Sequence, residues 1–497
     1  GTAVISGFTA DWTNHKVSFA ASDTELKALL RITLEGKGAI DLDMISLFPA
    51  DTWKERENGL RKDLVQMIAD LKPGFLRFPG GCIVEGRTLE NRYQWKTTVG
   101  PVEDRKLIMN RWNLEIRNRQ TPDYFQSFGL GFYEYFLLAE DIGAEPLPIV
   151  NCGMSCQYNA AEVVPLEELD SYIQDAIDLI EFANGETSTR WGGLRAEMGH
   201  PEKFNLKYLG VGNEQWDEQY IERYREFEKV LKDKHPEIKI ISGSGPSAAG
   251  RMFEYGWTEL RKLSPDLIDE HYYMPPEWFL QNATRYDNYD RNGIKVFAGE
   301  YAAHGKEDSN PESRNSWWSA LCEAAFMTGL ERNADVVHMA SYAPLLAHVD
   351  AWQWRPDLIW FDNLNVIGSP NYYVQKIFSN YNGTHIVPAL SEGKALTGQD
   401  GIYASASLDR NKGKLYVKIV NSNEKPVPVQ LDLGRLPYTG TAVQQILKSQ
   451  NKEDFNSVSK GEIIKPVTTP VKMNGRRVDA TMEQLSVNLI IIDFKTR

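Results

Sequence analysis

Tyr208-Leu209-Gly210-Val211-Gly212-Asn213-Glu214 is a short apolar run, then a glycine, then an amide and a carboxylate. A run of this length bounded by a breaker suits a strand buried on both faces, as in a parallel sheet. Comparable runs lie at 74–81, 146–152, 239–243, 267–273, 295–300 and 336–342. Between them, apolar residues fall at helical spacing over 132–142, 166–184, 219–235, 250–263 and 313–333. Strands alternating with helices imply parallel strands joined by helical crossovers. The span of about 270 residues suits a (β/α)8 barrel, which takes about 250. A doubly wound sheet is the rival, but it usually carries a glycine-rich phosphate loop after a strand, and no such fingerprint is present.

Working outward, residues 58–71 place Leu60, Leu64, Met67, Ile68 and Leu71 on one helical stripe, stopped by Pro73-Gly74. The first fifty residues read as strands at 16–20, 29–34 and 39–48, broken by Gly36 and Gly38. After about residue 376 the helical spacing ends. Short alternating runs at 402–408, 414–420, 427–433, 440–447 and 485–492 read as an all-β sandwich. The 497 residues therefore divide into a β-rich remnant at 1–50, a barrel at 51–375 and a C-terminal sandwich at 376–497. Only seven barrel strands are legible. Either 39–48 serves as the first strand, or the barrel lacks it.

Composition narrows the partners. With 55 Lys and Arg against 68 Asp and Glu, the net charge is −13, which disfavours nucleic acid. No run of about 18 apolar residues exists, so no membrane span is expected. Four cysteines, Cys82, Cys152, Cys156 and Cys322, are too few and scattered for a disulfide scaffold. Cys152 and Cys156 have no second pair and no nearby histidine, so no metal site is expected. No leader is legible at Gly1-Thr2-Ala3-Val4.

A barrel carries its chemistry at the C-terminal ends of its strands. The 208–212 run ends in Asn213-Glu214, the 295–299 run in Glu300-Tyr301, and the run between them in His271-Tyr272-Tyr273. Two glutamates at strand tips are what a retaining glycosidase needs: one protonated to donate, the other ionised to attack, about 5–5.5 Å apart. Either glutamate alone is as well explained as the acidic first turn of the next helix; the pair in one barrel is harder to explain so. Arg77, ahead of Phe78-Pro79-Gly80-Gly81-Cys82, is placed to pair with a central carboxylate. Cys82 alone reads most simply as a small buried apolar group. Trp352, Trp354 and Trp360 form either a sugar-stacking rim or loop packing. Trp317 and Trp318 read as core or interdomain contacts, and His338 as a barrel-interior histidine.

Arg77-Phe-Pro-Gly-Gly-Cys82, Tyr93-x-Trp95, Gly100-Pro101 with Arg105, Gly212-Asn213-Glu214, His271-x-Tyr273 and Gly299-Glu300-Tyr301, in this order, resemble the α-L-arabinofuranosidases of glycoside hydrolase family 51. So does Leu42-Asp43-Met44-Ile45-Ser46-Leu47-Phe48-Pro49, ahead of the barrel. The resemblance implies Glu214 as general acid/base on the fourth barrel strand and Glu300 as nucleophile on the seventh. It implies sugar binding by Asn213, Cys82 and Tyr273, support from Arg77 and His271, and Trp95 on the leaving-group side. No cofactor and no metal are implied. The implied substrate is a plant cell-wall oligo- or polysaccharide of the arabinan or arabinoxylan type, the location secreted or periplasmic, and a homo-oligomer is compatible. The alternatives weighed are a non-catalytic carbohydrate-binding protein and a clan relative acting on β-glucans or xylosides. A family glutamine near the eighth strand has Gln353 as its nearest candidate.

Overall fold

The computed structural model describes residues 1–25, 28–114, 123–434 and 437–495. It separates into two compact units, Gly1–Leu47 and Phe48–Arg497. The first corrects the sequence reading: none of its described residues forms a strand, including 39–47. Its apolar side chains, Trp12, Leu29 and Leu34 among them, stand exposed. Alternating apolar residues make a strand only beside a partner, and 47 residues are too few to bury a core of their own.

The second unit is built on seven parallel strands in sequential order. They are β1 (Phe75–Phe78), β2 (Glu145–Val150), β3 (Tyr208–Val211), β4 (Lys239–Gly243), β5 (Leu267–Met274), β6 (Lys295–Ala303) and β7 (Val337–Tyr342). The crossovers are α2 (Phe132–Ile142), α3 (Asp170–Asn184), α4 (Arg190–Glu197), α5 (Asp217–Lys234), α6 (Arg251–Leu263), α7 (Pro276–Gln281) and α8 (Trp317–Arg332); α1 (Lys62–Asp70) precedes β1. Burial explains their amphipathicity: α5 hides Tyr220, Ile221, Tyr224, Phe227 and Leu231 on one face, with Arg223 and Glu228 buried beside them. In a flat sheet the tips of β1 and β6, five spacings apart, would be separated by about 24 Å. Here Arg77 of β1 hydrogen-bonds Glu300 of β6 at 2.7 Å, so the sheet curls into barrel form. Among the described residues no strand joins the outer edges of β1 and β7. His338 on β7 is therefore exposed instead of interior, because no strand lies beyond it to cover that face.

After β7 come a small three-stranded sheet (Leu346–His348, Ile359–Phe361 and Val366–Gly368) and α9 (Pro370–Asn380), neither expected from sequence. Two antiparallel sheets of six and three strands follow. In the larger, Ile402–Asp409, Lys414–Asn421, Ser486–Phe494 and Tyr438–Lys448 pair in that spatial order. Helix α8 lies against this sheet as well as the barrel strands, and is apolar nearly all round for that reason. Trp317 seals the junction through its indole N–H on the Leu485 carbonyl at 2.9 Å. Glu331 accepts hydrogen bonds there from Lys418 and Ser405.

Candidate active site

The strand tips converge on two carboxylates. Gly212 follows β3 with a φ of 74°, a left-handed conformation that glycine adopts without strain. The turn aims Asn213 and Glu214 at the barrel axis, and Gln215 fixes it by accepting the Asn213 N–H at 2.6 Å. On β5, period-two alternation divides the side chains between two faces. Asp269, His271 and Tyr273 face the centre. Glu270 faces the helices, where it accepts hydrogen bonds from Trp257, Tyr286 and Tyr289 and pairs with Arg285.

Glu300 is held at both oxygens. Arg77 donates to Oε1 at 2.7 Å, and the Tyr273 hydroxyl donates to Oε2 at 2.7 Å. Arg77 also donates to Asn213 Oδ1 at 2.8 Å and lies 3.4 Å from Asp269. Gly81 permits this crowding: a Cβ there would lie 2.9 Å from Glu300 Oε1. Glu214 contacts His271 Nδ1 through Oε1 at 2.8 Å and receives the Cys82 thiol on Oε2 at 3.2 Å. A carboxylate oxygen of Glu214, one of Glu300 and a ring nitrogen of His271 all lie within 4.8 Å of one another.

The charges are coupled. Burial disfavours ionised Glu214, but the hydrogen bond and charge of His271, with Cys82 and Arg77, outweigh it and lower its pKa. Burial likewise opposes charge on His271, yet Glu300 and Asp269 together with Glu214 raise its pKa well above the ordinary histidine value. One proton thus belongs to the His271–Glu214 contact and rests on the imidazole. Burial and the charge of Glu300 raise the Tyr273 phenol, which stays a donor.

Of the residues singled out in the sequence, Arg77, Cys82, Asn213, Glu214, His271, Tyr273 and Glu300 come together here. Trp95 does not. It is buried against Phe132, Phe182 and Trp191, with its indole N–H on the Asp175 carbonyl at 2.9 Å, so it belongs to the packing of α3. The aromatic beside Tyr273 is Trp354, at 5.5 Å between ring centroids, itself 5.2 Å from Trp112. Gln353 donates to Asn113 Oδ1 at 2.7 Å, and Trp360 is buried.

Two carboxyls were missed. Asp269 lay two residues before His271, a spacing that signals a shared face. Glu85 carried no sequence signal. It is buried and accepts the Asn213 amide at 2.9 Å and the Glu214 backbone N–H at 3.1 Å; burial raises its pKa well above the ordinary value. Among the described residues two groups have metal-ligand spacing, Glu214–His271–Glu300 and Cys82–Glu85–Cys156. In each a guanidinium already lies on one ligand atom, Arg77 on Glu300 and Arg111 on Cys156, and opposes a cation.

Comparison with known proteins identifies the family. The family model described as "Alpha-L-arabinofuranosidase 1 domain" matches residues 67–291, and "Alpha-L-arabinofuranosidase C-terminal domain" matches 299–486. The chain is 47% identical to an extracellular exo-α-L-arabinofuranosidase of Streptomyces chartreusis over 402 residues, 78% of this chain and 46% of that protein. It is 36% identical to α-L-arabinofuranosidase 2 of Arabidopsis thaliana over 470 residues, 93% of this chain and 64% of that one. It thus spans about half to two thirds of the length of these relatives. The solved arabinose-bound α-L-arabinofuranosidase designated MgGH51 superposes with a TM-score of 0.78 at 33% identity, covering 89% of this chain and 68% of that one.

Proposed function

Because the chain belongs to the α-L-arabinofuranosidases of glycoside hydrolase family 51, we propose that it removes terminal α-L-arabinofuranosyl residues from arabinan- or arabinoxylan-type glycans with retention of configuration. Glu300 attacks the anomeric carbon while Glu214 delivers the proton it shares with His271 to the leaving oxygen. Glu214 then takes a proton from water, which breaks the arabinosyl–Glu300 ester. Arg77 and Tyr273 orient the nucleophile, and Asn213 is placed to meet the sugar hydroxyl beside the reacting carbon. The Glu214 side chain is 13% exposed against 6% for Glu300, as expected if the acid faces the leaving group.

The observation that carries this reading is the carboxylate spacing. Oxygens within 4.8 Å leave no room for the water that an inverting enzyme holds between carboxyls about 6.5–9.5 Å apart. Proton NMR of the first arabinose released from an aryl α-L-arabinofuranoside tests it. The α-anomer is expected first; the β-anomer, or no release, overturns the reading.

We read residues 51–375 as the catalytic part and 376–497 as its support. Secretion accords with the Streptomyces relative's description as extracellular. No described helix is long and apolar enough to cross a membrane. Light scattering on the purified protein tests the homo-oligomer.

A further inference from the structure

Beside Cys82 of the active site lies a second thiol, Cys156, that the hydrolytic mechanism does not use. Cys82 Sγ, a Glu85 carboxylate oxygen and Cys156 Sγ lie within 4.8 Å of one another, all three residues buried and both thiols free. The backbones run together through Gly86, whose N–H donates to the Cys82 carbonyl at 3.1 Å and whose carbonyl accepts the Cys156 N–H at 3.1 Å. Arg111 donates to Cys156 Sγ at 3.3 Å and to Asn159 Oδ1 at 2.6 Å. The neighbouring Cys82 thiol, the Arg111 charge and hydrogen bonding from Glu85 outweigh burial and lower the Cys156 pKa. The Cys82 thiol moves the opposite way and stays protonated. A thiolate beside a guanidinium with a second thiol in reach has the charge layout of a reactive cysteine and its resolving partner, here buried, so that the oxidant must be as small as hydrogen peroxide.

We propose that Cys156 and Cys82 form a dithiol reactive toward hydrogen peroxide, whose oxidation to a disulfide withdraws the Cys82 thiol from Glu214. Cys156 attacks the peroxide oxygen; an S–O bond forms, the O–O bond breaks, and the leaving hydroxide takes a proton. Cys82 then attacks the sulfenic sulfur; an S–S bond forms, the S–O bond breaks, and water leaves with the Cys82 proton. In sum, two thiols lose two electrons and two protons while hydrogen peroxide is reduced to two waters. Side-chain rotation closes the gap between the sulfurs, and the 3.2 Å thiol contact on Glu214 is lost. The chemical step stands by itself. Its effect on turnover rests on the reading of Glu214 as acid/base.

The test treats the whole protein with hydrogen peroxide, alkylates the remaining thiols and maps the peptides without reduction. A Cys82–Cys156 crosslinked peptide lighter by two hydrogens is expected. Turnover of an aryl arabinofuranoside should fall by about tenfold or more and return with dithiothreitol. Cys156→Ser should give no crosslink and no response of turnover to peroxide. In the unsubstituted protein, iodoacetamide should label Cys156 ahead of Cys152 and Cys322, which needs no variant to fold. Absence of the crosslink, or equal labelling rates, overturns the proposal. A crosslink without loss of turnover overturns its regulatory part. Failure of untreated protein to hydrolyse any arabinofuranoside speaks instead against the proposed function.

Discussion

Replacing Glu323 by Gln should make the protein more stable, and increasingly so as pH rises. Glu323 lies fully buried in α8 and accepts the Ala303 N–H at 2.7 Å, three residues along β6 from Glu300. Burial pushes its pKa up from 4.5 to about 8. The unfolded chain loses this proton near 4.5 while the native chain keeps it to about 8, so the unfolded state binds fewer protons through that window. Native stability therefore falls as pH rises, by about 1.4 kcal/mol per pH unit, or close to 5 kcal/mol across the window. Gln keeps the acceptor for Ala303 and does not titrate, so the variant escapes this loss. Unfolding about 450 residues carries an entropy near 0.9 kcal/mol/K, which converts the difference to about 5 °C in Tm at pH 8. Differential scanning calorimetry of both proteins from pH 4.5 to 8 reads it. A Tm difference that stays constant with pH, or a variant less stable at pH 8, refutes the reasoning.

Glu214→Ala should lower turnover of arabino-oligosaccharides about 10³-fold or more, but that of a dinitrophenyl arabinofuranoside far less, since that leaving group needs no proton; equal losses count against the acid assignment. Gly81→Ala brings a methyl to 2.9 Å from Glu300 Oε1 and should cut kcat about tenfold or more with Tm nearly unchanged, measured by steady-state kinetics beside a melt. Trp95→Phe should lower Tm and leave KM for an aryl arabinofuranoside unchanged, because the ring packs on α3; a rise in KM of about tenfold would return Trp95 to the sugar site.

The barrel strands were legible because a strand buried on both faces leaves a continuous apolar run between turn residues. The 239–243 run was placed to the residue, and β6 continues past its expected end only because Tyr301, Ala302 and Ala303 remain buried. Residues 1–50 show the limit of that reading: alternation at 39–48 is the same signal, but a strand is a property of a pair, and no pairing forms there. Glu214 was legible as a carboxylate just past the end of an apolar run, and Glu300 as one at the expected end of its run, although its strand continues to Ala303. Trp95 misled because an aromatic beside a ligand motif and one in a core have the same local sequence. Glu85 was silent because its role depends on the approach of two backbone segments 128 residues apart.

Helix α8 joins the barrel and one face of the sandwich in a single core. Its Glu323 grips the strand that carries Glu300, while Glu331, one end of the helix later, is locked to Lys418, a lysine with no exposed surface. Removing the sandwich would take Lys418 from Glu331 and strip cover from a helix with no polar face to offer water. The barrel sheet and the sandwich are therefore expected to unfold together, and a lesion in the outlying strands reaches the strand of Glu300 through this one helix.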